Sequence, residues 1–322
     1  MIHGYAVEEE RLRALDAPLE ALDRVVWLDL ESPTAEETAA IEGALGIAIP
    51  TREDMEEIEE SSRLYWENGA AYMTANLPSN VESDEPVLAP VTFILAGQRL
   101  VTLRYHDPRA FRTFSARAER VDMGCSDGPS ALIALLEVTI DRLADILERI
   151  GREVEQLSRA VFRTRTKGRG PAPDYLAVLL GLGRHGDLLA NVVDSLVTLE
   201  RLVAFLGATN LKAASKDVKV RLKTMARDTR FLDDHASSLS QKLTFLLDAT
   251  LGMISIEQNA IIKIFSVAAV VFLPPTLIAS IYGMNFTVMP ELGWAWGYPF
   301  AIGLMILSAV VSFGVFKSRG WL

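Results

Sequence analysis

The stretch IFSVAAVVFLPPTLIASIYGMNF, Ile264 to Phe286, decides how the rest of the chain is read. It carries no charge: Lys263 precedes it, and Glu291 is the next charged residue. It matches the ~20 residues an apolar helix needs to cross a bilayer core. A second uncharged stretch runs from Trp296 to Phe316 and then meets Lys317 and Arg319. Trp294, Trp296 and Tyr298 stand at its start, where amphipathic rings favour a membrane interface. Basic residues flank the far ends of both stretches, and the loop between them has none. The positive-inside rule then predicts two spans with both termini cytoplasmic and the loop outside.

Upstream, the chain divides by pattern. Tyr5–Val7, Val25–Leu30, Ala70–Leu77 and Val91–Tyr105 are rich in β-branched and aromatic residues and read as strands, the last folded at Gly97–Gln98. Thr34–Leu45 and Thr51–Glu60 read as helices opening on N-cap threonines. Thr51 with Asp54 forms a capping-box pattern. Strands interleaved with helices predict an α+β domain with α/β layers. From Pro129 the spacing turns helical: Ala131–Arg165, a break at TKGRGPAP (Thr166–Pro173), then Asp174–Leu206 returning antiparallel. After GATN, Gly207–Asn210, the chain has no strong breaker before Ser280 except Pro274–Pro275. Seventy helical residues span roughly 100 Å, so most of that helix is a stalk outside the membrane.

The predicted organisation is a cytosolic α/β domain over 1–128, a helical hairpin over 129–210 and a stalk over 211–263. A first transmembrane helix follows at 264–286, an external loop at 287–295, a second span at 296–316 and a basic tail at 317–322.

With 322 residues and half of them apolar, the chain is long enough for two domains and unusually hydrophobic for a purely soluble protein. Its net charge of -10 argues against nucleic-acid binding. A single cysteine, Cys125, excludes an intrachain disulfide framework and a cysteine-based zinc site. The first residues, MIHGYAVEEERLR, lack the apolar core of a signal peptide. Gly181–Gly186, GLGRHG, has dinucleotide-motif spacing but lies in a helical stretch with no preceding strand, so no nucleotide is expected. His3, His106, His185 and His235 are scattered without metal-ligand spacing. The basic run Lys212–Arg230 lies too far from the first span for headgroup contact. No nucleophile elbow or zinc-protease helix is present, and the sequence reads as a non-enzyme.

Two spans cannot enclose an aqueous path, so conduction would need a ring of copies. The first span is suited to line it. Asn259, Ser266, Leu273, Thr276, Ser280 and Gly283 fall on one helical face, with Ile262 and Leu273 as apolar rings able to gate by dewetting. Ordinary helix packing also collects small and hydroxyl residues, and the pattern alone leaves both readings open. At the end of that face, Gly283 frees the backbone to leave the helix, and Asn285 presents an amide at the outer mouth. A ring of neutral amides can hydrogen-bond the water shell that Mg²⁺ sheds reluctantly. Glu291, alone in the loop, would concentrate cations without forming a tight site.

At these residues the chain resembles the CorA family of divalent-cation channels and transporters, most closely its enterobacterial type. Tyr282, Gly283, Met284, Asn285 and Phe286 match the family's Tyr-Gly-Met-Asn-Phe. Met289, Pro290, Glu291 and Leu292 match its loop, and Trp294, Trp296, Gly297, Tyr298 and Pro299 match the start of its second span. The strong similarity covers about Phe245–Leu322. The resemblance implies a funnel-shaped homopentamer in a bacterial inner membrane, with Gly283, Met284 and Asn285 as selectivity filter and the first span lining the pore. It implies Mg²⁺ as substrate and regulatory ligand, carriage of Co²⁺ and Ni²⁺, and closure by cytosolic Mg²⁺ between subunits. Asn259 and Thr276 match pore positions in the family, and Asp248 matches a stalk position. Asp228, Asp233 and Asp234 on the stalk are candidates for the regulatory carboxylates, as is EDMEEIEE, Glu53–Glu60, which reads more simply as a solvated helix face. The alternatives are a zinc or other transition-metal transporter of the same superfamily, and a membrane sensor that transports nothing.

Overall fold

The computed structural model describes residues 1–83, 85–162, 174–208, 216–285 and 289–319, without the side chains of Glu60, Lys216, Glu291 and Leu292. The break at Thr166–Pro173, the end of the first span at Phe286 and the terminal Trp321–Leu322 lie outside these residues. The described chain forms two compact units, Met1–Leu247 and Asp248–Leu322.

The first unit is built on a seven-stranded sheet. Its strands are β1 (Ile2–Glu8), β2 (Arg11–Leu15), β3 (Val25–Glu31), β4 (Leu64–Glu67), β5 (Ala70–Ser79), β6 (Val87–Ala96) and β7 (Arg99–Arg104). The order across the sheet is β2-β1-β3-β7-β6-β5-β4. Only β3 and β7 pair in parallel; the other pairs are antiparallel. The predicted hairpin at Gly97–Gln98 joins β6 to β7, with Gly97 at φ 61°, a left-handed value that costs glycine little. Edge strands β2 and β4 were not legible in the sequence: RLRAL and LYWE are short and lack a clear alternation.

Helices α1 (Ala35–Leu45) and α2 (Arg52–Glu56) open on the capping boxes of Thr34 with Glu37 and Thr51 with Asp54. The predicted helix Thr51–Glu60 is split. It stops at Glu57, and α3 (Glu60–Arg63) begins after a gap. With one buried residue, Met55, this segment has little apolar face to hold a longer helix. Ile41 and Met55 pack with Leu28, Leu30, Tyr72, Ile94 and Leu103 on one side of the sheet. On the other side Trp27 meets Phe114 of α4 (Arg109–Ala118), ring centroids 5.1 Å apart.

A polar chain crosses the sheet. Trp27 Nε1 donates to Thr102 Oγ1 at 3.0 Å, and Thr102 donates to Asp29 Oδ1 at 2.8 Å. Arg104 donates to both oxygens of Asp29 and, at 3.0 Å, to Glu31. Asp29 and Arg104 side chains are each only 5% exposed, so each charge depends on the other. His106 hydrogen-bonds the Leu77 carbonyl through Nε2 at 2.9 Å, and its Nδ1 is buried without a partner.

α5 (Gly128–Val161) starts hard against the β6–β7 hairpin. Gly128 N donates to Gln98 O at 2.7 Å, and a Cβ there would fall 2.4 Å from Arg99 C, so the approach requires glycine. α6 (Tyr175–Ala208) packs on β5, where Asn76 binds Thr198 Oγ1 at 3.0 Å and Asp194 Oδ2 at 2.6 Å. α7 (Lys216–Tyr282) is one unbroken helix of 67 residues, running through Pro274 and Pro275. In the first unit it buries Val218, Leu222, Met225, Thr229, Leu232, Ala236, Leu239, Leu243 and Leu246. Their alternating spacing of four and three is a heptad seam. Ion pairs flank it: Arg221 and Lys242 to Glu137 and Glu155 of α5, Arg230 to Glu200 of α6.

The second unit contains the rest of α7, a short 3-10 turn at Pro290–Gly293 and α8 (Gly297–Ser318). Asp217–Tyr282 and Gly297–Ser318 are long and apolar enough to cross a membrane, each with a stretch of mean hydropathy 2.2. The unit boundary falls at Asp248, inside the predicted stalk.

Candidate functional site

Two faces of α7 differ in the second unit. Val267, Val271, Pro274, Pro275, Ile278 and Tyr282 are buried or half-buried. At about 100° per residue these fall on one side of the helix. Ser266, Leu273, Thr276 and Ser280 fall on the opposite side and are exposed. Upstream, Asn259 and Ile262 are exposed in line with them. Leu273 is 68% exposed, although it is a leucine in the middle of a helix. The Thr276 hydroxyl donates to Phe272 O at 2.7 Å, which satisfies its proton within the helix and leaves oxygen lone pairs outward. Ala269, Leu273, Thr276 and Ser280 line an open groove along this face.

α8 shows the matching pattern. Gly297, Ala301, Met305, Ser308, Ala309, Ser312 and Phe316 are buried or half-buried at steps of three and four, and the remaining face is exposed and apolar. Among the described residues the other element of the unit is the 3-10 turn, and each long helix keeps one half-buried stripe. Ser308 and Ser312 lie on this half-buried stripe.

α7 stops at Tyr282, and Gly283 N still donates to Ala279 O at 2.9 Å. Gly283 is absent from the positive-φ glycines, so the turn is made without left-handed backbone. Met284 N bonds Ile281 O at 3.2 Å, and Met284 and Asn285 are both exposed. Glu291 lies in the 3-10 turn, with its side chain outside the description. Trp294 rests against Phe300, centroids 5.8 Å apart, while Trp296 and Tyr298 project freely.

Asp228, Asp233 and Asp234 lie on different sides of α7, and Asp248 belongs to the second unit. Asp234 and Asp248 are exposed on the side of α7 away from the heptad seam. Asp233 is half-buried on one flank of the seam, and Asp228 is exposed on the other. Asp228 adds its charge to a row on α5: burial first, then Glu137, Asp145 and Asp228, raise the Asp141 carboxyl against an opposing pull from Arg117. In the Glu53–Glu60 run, Asp54 is committed to the Thr51 cap, whose hydrogen bonds hold its carboxyl low. Among the described residues no group of three or more His, Cys, Asp or Glu gathers as a metal site.

A sheet-and-helix unit, one long helix and a two-helix apolar hairpin define a membrane protein of the two-span type. The profile of CorA-like Mg²⁺ transporter proteins matches residues 23–318. The chain therefore belongs to the CorA family, whose members are transporters rather than enzymes. It is 37% identical to the magnesium transport protein CorA of Pasteurella multocida over 323 residues, covering 100% of both chains. It is 36% identical to that of Escherichia coli K12 with the same coverage. The solved structure of the CorA magnesium transporter from Methanocaldococcus jannaschii superposes with a TM-score of 0.76 at 19% identity, covering 100% of this chain and 99% of the other.

Proposed function

We propose that the chain assembles into a ring, a homopentamer by family resemblance, that conducts Mg²⁺ inward across a bacterial inner membrane. In this reading both termini are cytoplasmic and Co²⁺ and Ni²⁺ are also carried. The observation that carries it is the polar face of α7. In one chain that face is exposed and opposite the half-buried stripe of α7, which is where a path shared between copies would run. Ser266, Thr276 and Ser280 offer hydroxyls along it, with Asn259 below, and Ile262 and Leu273 interrupt it with apolar rings. It ends at Gly283, Met284 and Asn285, whose amide ring would hold the hydrated ion at the outer mouth. Glu291 raises the local cation concentration. No fuel is required, because the membrane potential supplies ~2.3 kcal/mol per charge per 100 mV.

Closure by cytosolic Mg²⁺ fits the scattered aspartates. Asp228, Asp233, Asp234 and Asp248 form no site in one chain, so a bridging ion would need carboxylates from two. Neutralising them should abolish Mg²⁺-dependent closure and leave conduction intact.

The test is flux of Mg²⁺, Co²⁺ and Zn²⁺ into proteoliposomes, with Asn285→Ala beside the native protein. Magnesium flux that loses selectivity in Asn285→Ala supports the reading. Zinc flux without magnesium flux, or unchanged selectivity in the variant, overturns it.

A further inference from the structure

The first unit closes its own core, yet two charged runs on its surface have no part in conduction. One is Glu53–Glu60; the other is the basic stretch at the start of α7. Both lie within Met1–Leu247.

The acidic run sits at an edge of the sheet. α2 and α3 carry it, and β4 follows as the last strand in the sheet order. Among the described residues no strand pairs with the outer side of β4, which leaves its backbone groups open there. Burial first, then Tyr72, Glu67 and Asp54, raise the Tyr65 hydroxyl to about 12, so carboxylates of α2 and β4 act on one ring. Asp54 is spent on the Thr51 cap, and Glu56 on Arg52 at 3.2 Å. Glu53, Glu57, Glu59 and Glu67 are exposed. The same segment exposes two large apolar side chains, Ile58 at 87% and Trp66. Apolar side chains ringed by charge have the composition of an interface, with an apolar centre and a polar rim.

The basic stretch carries the complementary set. Arg221 and Arg230 are paired with Glu137 and Glu200 at the flanks of the heptad seam. Val220, Lys223, Arg227 and Phe231 recur at steps of three and four on the side of α7 opposite that seam. All four are exposed, Phe231 to 70%. Arg227 lies 3.6 Å from its neighbour Asp228, but both side chains are more than half exposed and water screens the pair.

A ring of identical copies needs two different surfaces that fit each other, because head-to-tail contact sets one patch against the other patch of the next copy. These two patches fit. One has carboxylates around Ile58 and Trp66; the other has two cations between Val220 and Phe231.

We propose that the β4 edge of one copy, with Glu53, Glu57, Glu59 and Glu67, docks on the Val220–Phe231 stripe of α7 in the next copy. Lys223 and Arg227 pair with the carboxylates, and the exposed apolar side chains of the two patches cover each other. The contact is direct and needs no metal ion. It rests on the ring reading above and names the surfaces that meet in it.

The test is assembly of the full-length protein in mild detergent, followed by light scattering. A chelator is present, so that a bridging Mg²⁺ cannot replace the contact. The native chain is compared with Glu57→Lys/Glu59→Lys/Glu67→Lys, with Lys223→Glu/Arg227→Glu, and with all five changes together. Each set alone should raise the concentration at which the ring falls apart about tenfold, because like charges then face each other. The combined variant should return close to the native value. Differently tagged, the two singly reversed chains should capture each other. Lys223→Gln/Arg227→Gln, a milder change at exposed positions, should show a smaller loss in the same direction. Reversals that leave assembly unchanged, or a loss that the combined variant does not recover, overturn the contact. A native ring that carries no Mg²⁺ in proteoliposomes refutes the transport reading instead, and the reversal series still decides the contact.

Discussion

Leu246 and Leu273 lie on the same helix and meet opposite fates. Leu246 is fully buried in a seam that alternates steps of four and three. Leu273 is 68% exposed on a face that the described residues leave open. The first unit satisfies itself: its heptad seam closes on α5 and α6, and its buried charges are paired. The second unit has one seam to close and leaves the rest of two apolar helices open. A helix that buries leucines in one half and displays them in the other takes its second half's partners from outside the chain. For the outward apolar surface that partner is lipid. For the polar stripe the proposed partners are neighbouring copies and hydrated ions.

Breaking the first unit should produce the largest effects. Arg104→Leu strands the Asp29 carboxylate, 5% exposed, and should cost ~3–5 kcal/mol in chemical denaturation. Leu246→Ala opens a cavity in the seam and should cost ~2–5 kcal/mol in the same measurement. Leu273→Ser should change that stability by no more than ~0.5 kcal/mol, because the site is exposed. It should instead raise resting Mg²⁺ flux, by wetting an apolar ring. Unchanged flux in Leu273→Ser would place the residue against lipid and remove it from the path. Asn285→Ala should reduce Mg²⁺ flux about tenfold, equivalent to ~1.4 kcal/mol of barrier, with stability unaffected.

The smallest effect is a pH dependence confined to the first unit. Burial, with Arg104 nearby, holds the His106 pKa below its ordinary value of 6.5. The folded state therefore binds this proton less well than the unfolded state. The contribution to stability is full above 6.5 and is lost as pH falls through and below that value. Unfolding midpoints at roughly pH 5 and pH 7 should differ less in His106→Gln than in the native protein. An equal acid loss in both would assign it to other groups.

Much of the fold was legible because its signals are local. Uncharged runs identify spans, and threonines three residues before an acid identify helix starts at Ala35 and Arg52. The β6–β7 hairpin announced itself through Gly97. Strands β2 and β4 and helix α4 were not read, because their order comes from docking on a sheet edge or on Trp27 rather than from their own pattern. The Thr51–Glu60 segment was read as one helix because propensity does not register the absence of a packing face.

By itself the sequence determined the two spans, the family motifs and the polar face of α7, since period and composition are properties of the chain. Tertiary structure alone decided which faces are covered. It half-buried Ser308 and Ser312 and left Ser266, Thr276 and Ser280 uncovered. Burial depends on what stands opposite a residue, and a linear pattern records only the residue.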